Sequence, residues 1–177
     1  MKLITLIFTT LTLLSLNTLA EEASNEETIN WKSTKDIRSS VTLKLEPQQG
    51  EVNYGPNFAQ SDKSLLENFS EIYVTRALTP KDEEIYTLFI TVNYNDQDWH
   101  AYETAKNKAG EELELRTIAK NENVSINNVN YKYEERLAIN MSLIDFADAF
   151  DYGLELTISG KQTNTLTITS TYFRAML

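Results

Sequence analysis

The fold is decided by the stretch that begins Ile85-Tyr-Thr-Leu-Phe-Ile-Thr-Val-Asn-Tyr94 and ends Val129-Asn-Tyr-Lys-Tyr-Glu-Glu-Arg-Leu-Ala-Ile-Asn-Met141. In an extended chain every second side chain points to the same face. The first run therefore places five large residues together: Tyr86, Leu88, Ile90, Val92 and Tyr94. The second run does the same with Val129, Tyr131, Tyr133, Leu137, Ile139 and Met141. Both runs are predicted to be strands with one buried face.

Other alternating runs predict strands over residues 41–45, 72–78, 99–106, 113–118, 154–158 and 166–170. The turns Asn95-Asp-Gln-Asp98 and Asn107-Lys-Ala-Gly110 are short enough for antiparallel hairpins, whereas residues 121–128 could carry the chain to a second sheet. The pattern predicts an all-β, mainly antiparallel fold. A β-sandwich or a small barrel of about eight strands, with one or two short helices, is expected.

Helical signals occur in two places. Ser142-Leu-Ile-Asp145 has the spacing of a capping box, and Gly153 is placed to end a helix whose apolar face would hold Leu143, Phe146, Ala147 and Phe150. Residues 61–69 form either a short helix capped by Ser61 or Asp62, or an irregular connection. The apolar residues at the C-terminus, 172–177, are expected to dock on the core.

The N-terminal twenty residues have the pattern of a signal peptide. Lys2 precedes a nearly uninterrupted apolar and threonine run, and small residues lead to a predicted cleavage near Ala20. The run is shorter than the ~20 apolar residues of a spanning helix, although an uncut anchor is the alternative. The predicted organisation is a signal peptide (1–20), a polar tail (21–40) and one β domain (41–177) in an exported, periplasmic or secreted protein without a membrane span in the mature chain.

The chain is strongly acidic. Sixteen basic residues against twenty-six acidic ones give a net charge of −10, and loss of Lys2 would make it −11. Such a charge repels nucleic acid and anionic membranes, and permits a cationic partner, although solubility alone can explain it. The sequence contains no cysteine, which excludes disulfides, thiol catalysis and thiolate metal sites.

Few residues could support catalysis or metal binding. His100 is the only histidine and has no recognisable nucleophile, so a solvent-exposed histidine at a strand edge is expected and no catalytic residue is predicted. One histidine is too few for a zinc site. The oxygens of residues 95–98 could attract calcium, but a hairpin turn explains them better, and no cofactor or metal is predicted.

Adjacent acids recur at residues 82–84, 111–112 and 134–135, but neighbours on a strand point to opposite faces and make no two-acid site by themselves. Glu135 is the exception because it shares the face of Tyr133 and Leu137. If buried, it should contact Arg116, Lys106 or a tyrosine hydroxyl, as a structural ion pair.

Aromatic residues give the remaining candidates. The chain has nine tyrosines and two tryptophans, residue types that are enriched at interfaces but that strands also favour. Trp99, Tyr102 and Tyr152 do not follow the core-facing alternation. Together with His100 they form the predicted binding patch.

An ordered set of residues in the second half of the chain carries a resemblance. It comprises Tyr102-Glu-Thr-Ala105, Gly110, Leu113, Tyr133-Glu134, Ile139-Asn-Met141, Gly153-Leu-Glu-Leu-Thr-Ile-Ser-Gly160, Tyr172 and Leu177. The set resembles a group of small exported or lipid-anchored proteins of Gram-negative bacteria with no assigned activity. The resemblance implies a periplasmic location and a compact β domain, and it transfers no catalytic residue. The lack of cysteine departs from the lipid-anchored members.

Three functions follow as hypotheses. The first is a non-enzymatic exported protein that binds a partner protein or an envelope component through a sheet face or edge. The second is a hydrolase of an envelope polymer that uses two carboxylates. The third is an inhibitor of a basic secreted enzyme, which the acidic charge would favour. The oligomeric state stays open.

Overall fold

A computed structural model describes residues 28–47, 49–126 and 128–177. The predicted signal peptide, its cleavage near Ala20 and residues 21–27 of the polar tail lie outside these residues. The strands are β1 (Thr42–Glu46), β2 (Gly50–Tyr54), β3 (Phe69–Leu78), β4 (Glu84–Tyr94), β5 (Thr104–Asn107), β6 (Glu112–Ile126), β7 (Val129–Met141), β8 (Leu154–Ser159) and β9 (Thr163–Ile168). The helices are α1 (Thr34–Ser39), α2 (Lys63–Leu66), α3 (Leu143–Tyr152) and α4 (Ser170–Ala175), with a short 3-10 helix at Phe58–Ser61.

All strand pairs described are antiparallel, and the order across the sheet is β1-β2-β3-β4-β7-β6-β5-β8-β9. The predicted all-β, mainly antiparallel class is confirmed. The sheet does not close on itself within the described residues, so it is an open, sandwich-like arrangement and not a barrel. Two paired positions join β5 to β6, Ala105 with Leu113 and Lys106 with Glu112, and they link β5, β8 and β9 to the larger half.

Two predicted connections are wrong. β4 pairs with β3 and β7, and β5 lies beyond β6, so residues 95–98 form a crossing loop and not a hairpin. Residues 121–126 continue β6, and Ile126 pairs with Val129, so this segment forms a hairpin and not a crossing. Asn128 has a φ of 64°, a backbone region that asparagine tolerates in tight hairpin turns. The turn at residues 107–110 is a hairpin as predicted.

The core lies on the face that the two long runs predict. The side chains of Leu88, Ile90, Leu137 and Ile139 are buried, and the helices α1, α3 and α4 add Ile37, Phe146 and Tyr172 to the same cluster. Burying an apolar side chain of this size contributes about 1.5–3 kcal/mol. The strand face therefore supplies much of the stability of a protein that has no disulfide.

Helix α3 begins with the predicted capping box, in which Ser142 and Asp145 each bond the backbone of the other, and it ends before Gly153 at a φ of 80°. Its buried face differs from the predicted one. Phe146 stacks on Tyr86 with ring centroids 3.9 Å apart, and Ala149 is buried beside it. The sheet and α4 thus set the buried side of the helix, which leaves Leu143 67% exposed.

Both ends of the described chain pack on the domain. Trp31 packs edge-on against Phe58 at 5.6 Å between ring centroids, and the α1 residue Ile37 is fully buried. The predicted docking of the C-terminal residues is confirmed, because Tyr172 and Phe173 of α4 are fully buried. Within the described ranges, none of the helices combines the length and the apolar character that crossing a bilayer requires.

The turn between β8 and β9 is pressed against the loop between β4 and β5. A Cβ atom added to Gly160 would lie 2.1 Å from the carbonyl oxygen of Ala101, and Lys161 N donates to the carbonyl of His100 at 2.6 Å. Only glycine fits this close backbone approach.

Substitution Gly160→Ala is therefore expected to lower the free energy of unfolding by about 2 kcal/mol, because the added methyl group meets backbone atoms. Its neighbour in the same turn provides the control. Lys161→Ala removes an exposed side chain but keeps the backbone bond, and should leave the unfolding midpoint in urea near that of the wild type. Equal, small effects for the two variants would contradict the close packing of the turn.

Candidate functional site

The structure separates the four residues of the predicted binding patch. Trp99, His100 and Tyr102 lie together in the loop between β4 and β5, whereas Tyr152 is at the end of α3 and borders a different groove. His100 is 7% exposed and Tyr102 is 2% exposed. The expectation of an exposed histidine at a strand edge is therefore wrong, and two of the four residues do not belong to a surface.

The loop is buried because it folds back onto β4. The imidazole of His100 stacks on the ring of Tyr94 at 3.5 Å between centroids, with the planes 4° apart, and His100 N donates to the Tyr94 hydroxyl at 2.9 Å. The reversal places Ala101 at a φ of 52°, a region that costs a residue with a Cβ about 1–2 kcal/mol. The hydrogen bond that Ala101 N donates to Glu135 Oε1 at 2.9 Å offsets this conformational cost.

Glu135 is the centre of these contacts. Its side chain is 0% exposed, and Oε1 accepts from the hydroxyl of Tyr94 as well as from Ala101 N. Its Oε2 lies 3.4 Å from Lys120 Nζ, close enough for Coulomb attraction but without hydrogen-bond geometry. The prediction that a buried Glu135 would contact Arg116, Lys106 or a tyrosine hydroxyl is confirmed for the hydroxyl, and the basic residue beside it is Lys120.

A bulge in β6 explains why Lys120 takes the place expected for Arg116. The register of β6 against β7 shifts between Thr117 and Ala119, and after the shift Lys120 is directly opposite Glu135. Arg116 is paired with Ala138 on the other face of the sheet. Residue spacing alone carries no signal for the bulge, so the ion pair could not be assigned from the sequence.

Hydrogen bonds occupy both ring nitrogens of His100. His100 Nδ1 lies 2.8 Å from the Tyr102 hydroxyl, which also accepts from Asn164 Nδ2 at 2.5 Å. His100 Nε2 lies 2.5 Å from Asp96 Oδ2. These contacts hold the imidazole ring in one orientation.

The arrangement contains a tyrosine, a histidine and an aspartate in series, and the side chains of His100 and Tyr102 are buried. Five surface cavities in the described part of the chain are lined by residues other than His100, Tyr102 and Glu135. Trp99 packs on the ring of Tyr133 at 4.4 Å and lies against Lys120. The network therefore fastens β4, β7, β9 and the crossing loop to one another.

A groove lies on another part of the surface, between α3, the turn after β5 and the start of β8. It encloses about 520 Å³. Its lining combines four acids, an exposed aromatic ring and apolar floor residues, and the main members are Glu111, Asp145, Asp148, Glu155, Tyr152 and Leu154. The predicted site residue Tyr152, 86% exposed, stands at this groove.

The carboxylates of the groove differ in their partners. Glu155 pairs with Lys108 at 3.3 Å, Glu111 accepts from Asn107 Nδ2 at 2.7 Å, and Asp145 belongs to the capping box of α3. Within the part of the chain that the structure describes, Asp148 makes neither an ion pair nor a side-chain hydrogen bond. Its charge is therefore available to a ligand.

The acidic surface continues past the groove. A second cavity of about 360 Å³ shares Leu113 and Asp145 with it and adds Glu112 and Glu114. The sequence showed only Glu111 and Glu112 as an adjacent pair, because the approach of α3 to the β5–β6 turn is a tertiary contact.

The turn at residues 95–98 does not gather its oxygens around one point. Asp96 bonds His100, Asp98 pairs with Lys161, and Asn95 Oδ1 accepts from Lys132 N at 2.7 Å. In the described ranges no group of three or more histidine, aspartate or glutamate side chains is placed to hold a metal ion.

No family model matches this chain, and neither a curated protein nor a solved structure matches it. The resemblance to small exported proteins of Gram-negative bacteria stays a prediction. Functional assignment therefore rests on the geometry and electrostatics of the residues themselves.

Removing the buried carboxylate should be costly. Glu135→Leu leaves the Tyr94 hydroxyl and Ala101 N without an acceptor and Lys120 without its carboxylate, so the free energy of unfolding should fall by about 3–5 kcal/mol. Urea denaturation followed by circular dichroism measures the change. Glu112→Gln, which breaks the exposed 3.5 Å pair with Lys106, should cost below about 1 kcal/mol. A Glu135→Leu variant as stable as Glu112→Gln would contradict the role of the network.

Three buried tyrosines should make the protein sensitive to alkali. Burial, and then the carboxylate of Glu135, raises the pKa of Tyr94 and of Tyr102 far above the ordinary 10.0, and burial, with a smaller effect of Tyr73, raises the pKa of Tyr172. Because the folded pKa values exceed the unfolded one, stability should be constant up to about pH 10 and fall at higher pH as the unfolded chain releases protons.

Urea midpoints measured between about pH 8 and pH 12 test this dependence on tyrosine ionisation. The decline above about pH 10 should be shallower in Tyr102→Phe, which has one fewer buried phenol. A midpoint independent of pH across this range would contradict it.

Proposed function

We propose that this chain is an exported, non-enzymatic protein that binds a cationic segment of a partner protein in the groove beside α3. The observation that carries the proposal is the juxtaposition of the unpaired Asp148 carboxylate with the exposed ring of Tyr152 over an apolar floor. Export and a periplasmic location are supported by the N-terminal twenty residues and by the resemblance given above.

The groove has the chemistry that a lysine or arginine side chain requires. Such side chains combine an apolar stem with a charged head, and they bury the stem while the head stays with polar groups. Leu154 and Ala149 provide apolar surface, Asp148 provides the opposite charge, and the ring of Tyr152 can contact a cation through its face.

The charge of the whole chain favours the same class of partner. A net charge of −10 attracts basic proteins over long range and accelerates their association at low ionic strength. A basic secreted enzyme is one partner of this kind, and occupation of its surface by the acidic groove would make this chain an inhibitor.

A non-enzymatic role is supported by the state of His100. Both of its ring nitrogens are occupied by Tyr102 and Asp96, and the ring is covered by Tyr94. A general base must reach the proton that it abstracts, and this imidazole is enclosed.

The acidic groove also favours a second candidate, hydrolysis of an envelope polymer. A glycosidase needs two carboxylates facing each other across roughly 5–9.5 Å. Of the four groove acids, three are already engaged by Lys108, Asn107 and the start of α3, which favours binding over catalysis. Release of reducing ends from purified cell-wall glycan, abolished by Asp148→Asn, would establish the hydrolase instead.

Binding should depend on individual groove residues. We expect a lysine-rich peptide and a basic lysozyme to bind the full chain at low salt in isothermal titration calorimetry. Asp148→Asn and Tyr152→Ala should each weaken binding by about fivefold or more, since one charged contact contributes roughly 1 kcal/mol. Affinity should fall as salt is raised because exposed charges are screened.

The matched control is Asp82→Asn, which removes the same charge from an exposed turn outside the groove. It should change affinity by less than about twofold. Equal losses in Asp148→Asn and Asp82→Asn would mean that only net charge matters. That result, or no binding of either probe at low salt, would contradict the proposed groove.

A further inference from the structure

A small cavity lies on the outer face of the sheet, away from the core. It encloses about 210 Å³ where β3, β4 and β7 adjoin the bulge of β6. Its lining residues are Glu71, Tyr73, Phe89, Thr91, Ile118 and Arg136, together with the core residues Ile90 and Leu137. The cavity shares no lining residue with the acidic groove, so it is independent of the function proposed above.

The walls of the cavity are apolar. Tyr73 and Phe89 are cross-strand partners whose rings stack at 5.0 Å between centroids, with the planes 15° apart. Ile118, at the bulge, is 52% exposed. These side chains lie on the face opposite Leu88 and Ile90, so they add nothing to the main core.

The cavity also contains one acidic and one basic side chain. Glu71 and Arg136 both line it, yet within the described ranges no ion pair joins them. Arg136 Nε donates to Glu134 Oε1 at 2.9 Å. The terminal nitrogens of the guanidinium make no hydrogen bond to another described residue. Thr91 Oγ1 donates to Glu71 Oε2 at 3.1 Å. An anionic acceptor and a cationic donor thus face the same space.

The hydroxyl of Tyr73 completes the set. Burial and the carboxylate of Glu71 raise the pKa of Tyr73, while the guanidinium of Arg136 opposes the increase. Both charges therefore act on this hydroxyl, which makes no hydrogen bond to another described residue. Glu71, Arg136 and Tyr73 all line the cavity, so a ligand there would meet the three side chains together.

We propose that this outer-face cavity binds one pyranose unit of a glycan. A sugar hydroxyl both donates and accepts, so neighbouring hydroxyls can satisfy an acceptor and a donor at once, while the C–H face of the ring packs on aromatic and aliphatic walls. A ligand with a net charge would be repelled by Glu71 or by Arg136, and a neutral polyhydroxylated ring avoids both conflicts.

Size and backbone pairing favour a sugar over a peptide. The volume corresponds to about seven water molecules at ~30 Å³ each, and it is below the ~300 Å³ at which pockets for larger ligands begin. Strands β3, β4 and β7 are hydrogen-bonded on both sides, so their backbones offer an extended peptide no free edge here.

The experiment is a titration of the isotope-labelled full chain with the methyl glycosides of glucose, galactose and N-acetylglucosamine, followed by amide chemical shifts. At least one glycoside should shift the amides of Glu71, Tyr73, Phe89 and Ile118, with a dissociation constant of about 1 mM for a ligand of this size. Shifts confined to the acidic groove, or none with any glycoside, would overturn the proposal.

Substitutions of lining residues test whether the glycoside binds in the cavity and not elsewhere on the sheet. Tyr73→Phe and Glu71→Gln should each weaken binding about fivefold, because each removes one hydrogen-bonding partner of the ligand. Ile118→Trp, at an exposed position, should fill the cavity and abolish binding. The amide chemical shifts of residues far from the cavity should stay those of the folded wild type. Tyr54→Phe, in the neighbouring strand but outside the lining, is the control that should bind as the wild type does. Unchanged binding in Tyr73→Phe and Glu71→Gln, or a neutral dipeptide amide that shifts these amides when no glycoside does, would overturn the assignment.

Discussion

The carboxyl group of Glu135 is fully buried between β7 and the loop after β4, and a buried polar group needs hydrogen-bond partners. Its partners come from β4, the crossing loop and β6. Meeting this requirement holds the backbone of Ala101 in a left-handed conformation and brings the ring of His100 over Tyr94. The conformation of the crossing loop therefore depends on one buried carboxyl group.

This dependence removes the only imidazole of the chain from the surface. Two exposed regions that combine shape with polar groups are the acidic groove beside α3 and the small cavity on the outer face of the sheet. One is dominated by carboxylates and the other by a carboxylate and a guanidinium around aromatic rings. Neither region is lined by a residue of the His100 network.

Local pattern predicted the features whose causes are local. Two-residue alternation located β4 and β7, and the spacing of Ser142 and Asp145 located α3. Strand β2 was not predicted, because Gly50–Tyr54 holds few apolar residues. One of them, Val52, is paired with Ala77 on the face away from the main core. The position of Tyr152 as a surface residue was predicted from its failure to alternate. The burial of His100 was not, because the loop that holds it is fixed by the bonds from Ala101 N to Glu135 and from Asn164 to Tyr102, and Glu135 and Asn164 lie far along the chain.

The narrow junction between β5 and β6 has a mechanical meaning. Only two paired positions join the segment formed by β5, β8 and β9 to the larger half of the sheet in the described residues. We expect so few backbone pairs to hold the two parts together less rigidly than the longer pairings within each part. The shared apolar interior, the bond from Asn164 to Tyr102 and the backbone bond from Lys161 N to the carbonyl of His100 add to the attachment. Slow opening of the molecule should begin along this seam, so amide protons of β8 and β9 should exchange with solvent before those of β4 and β7.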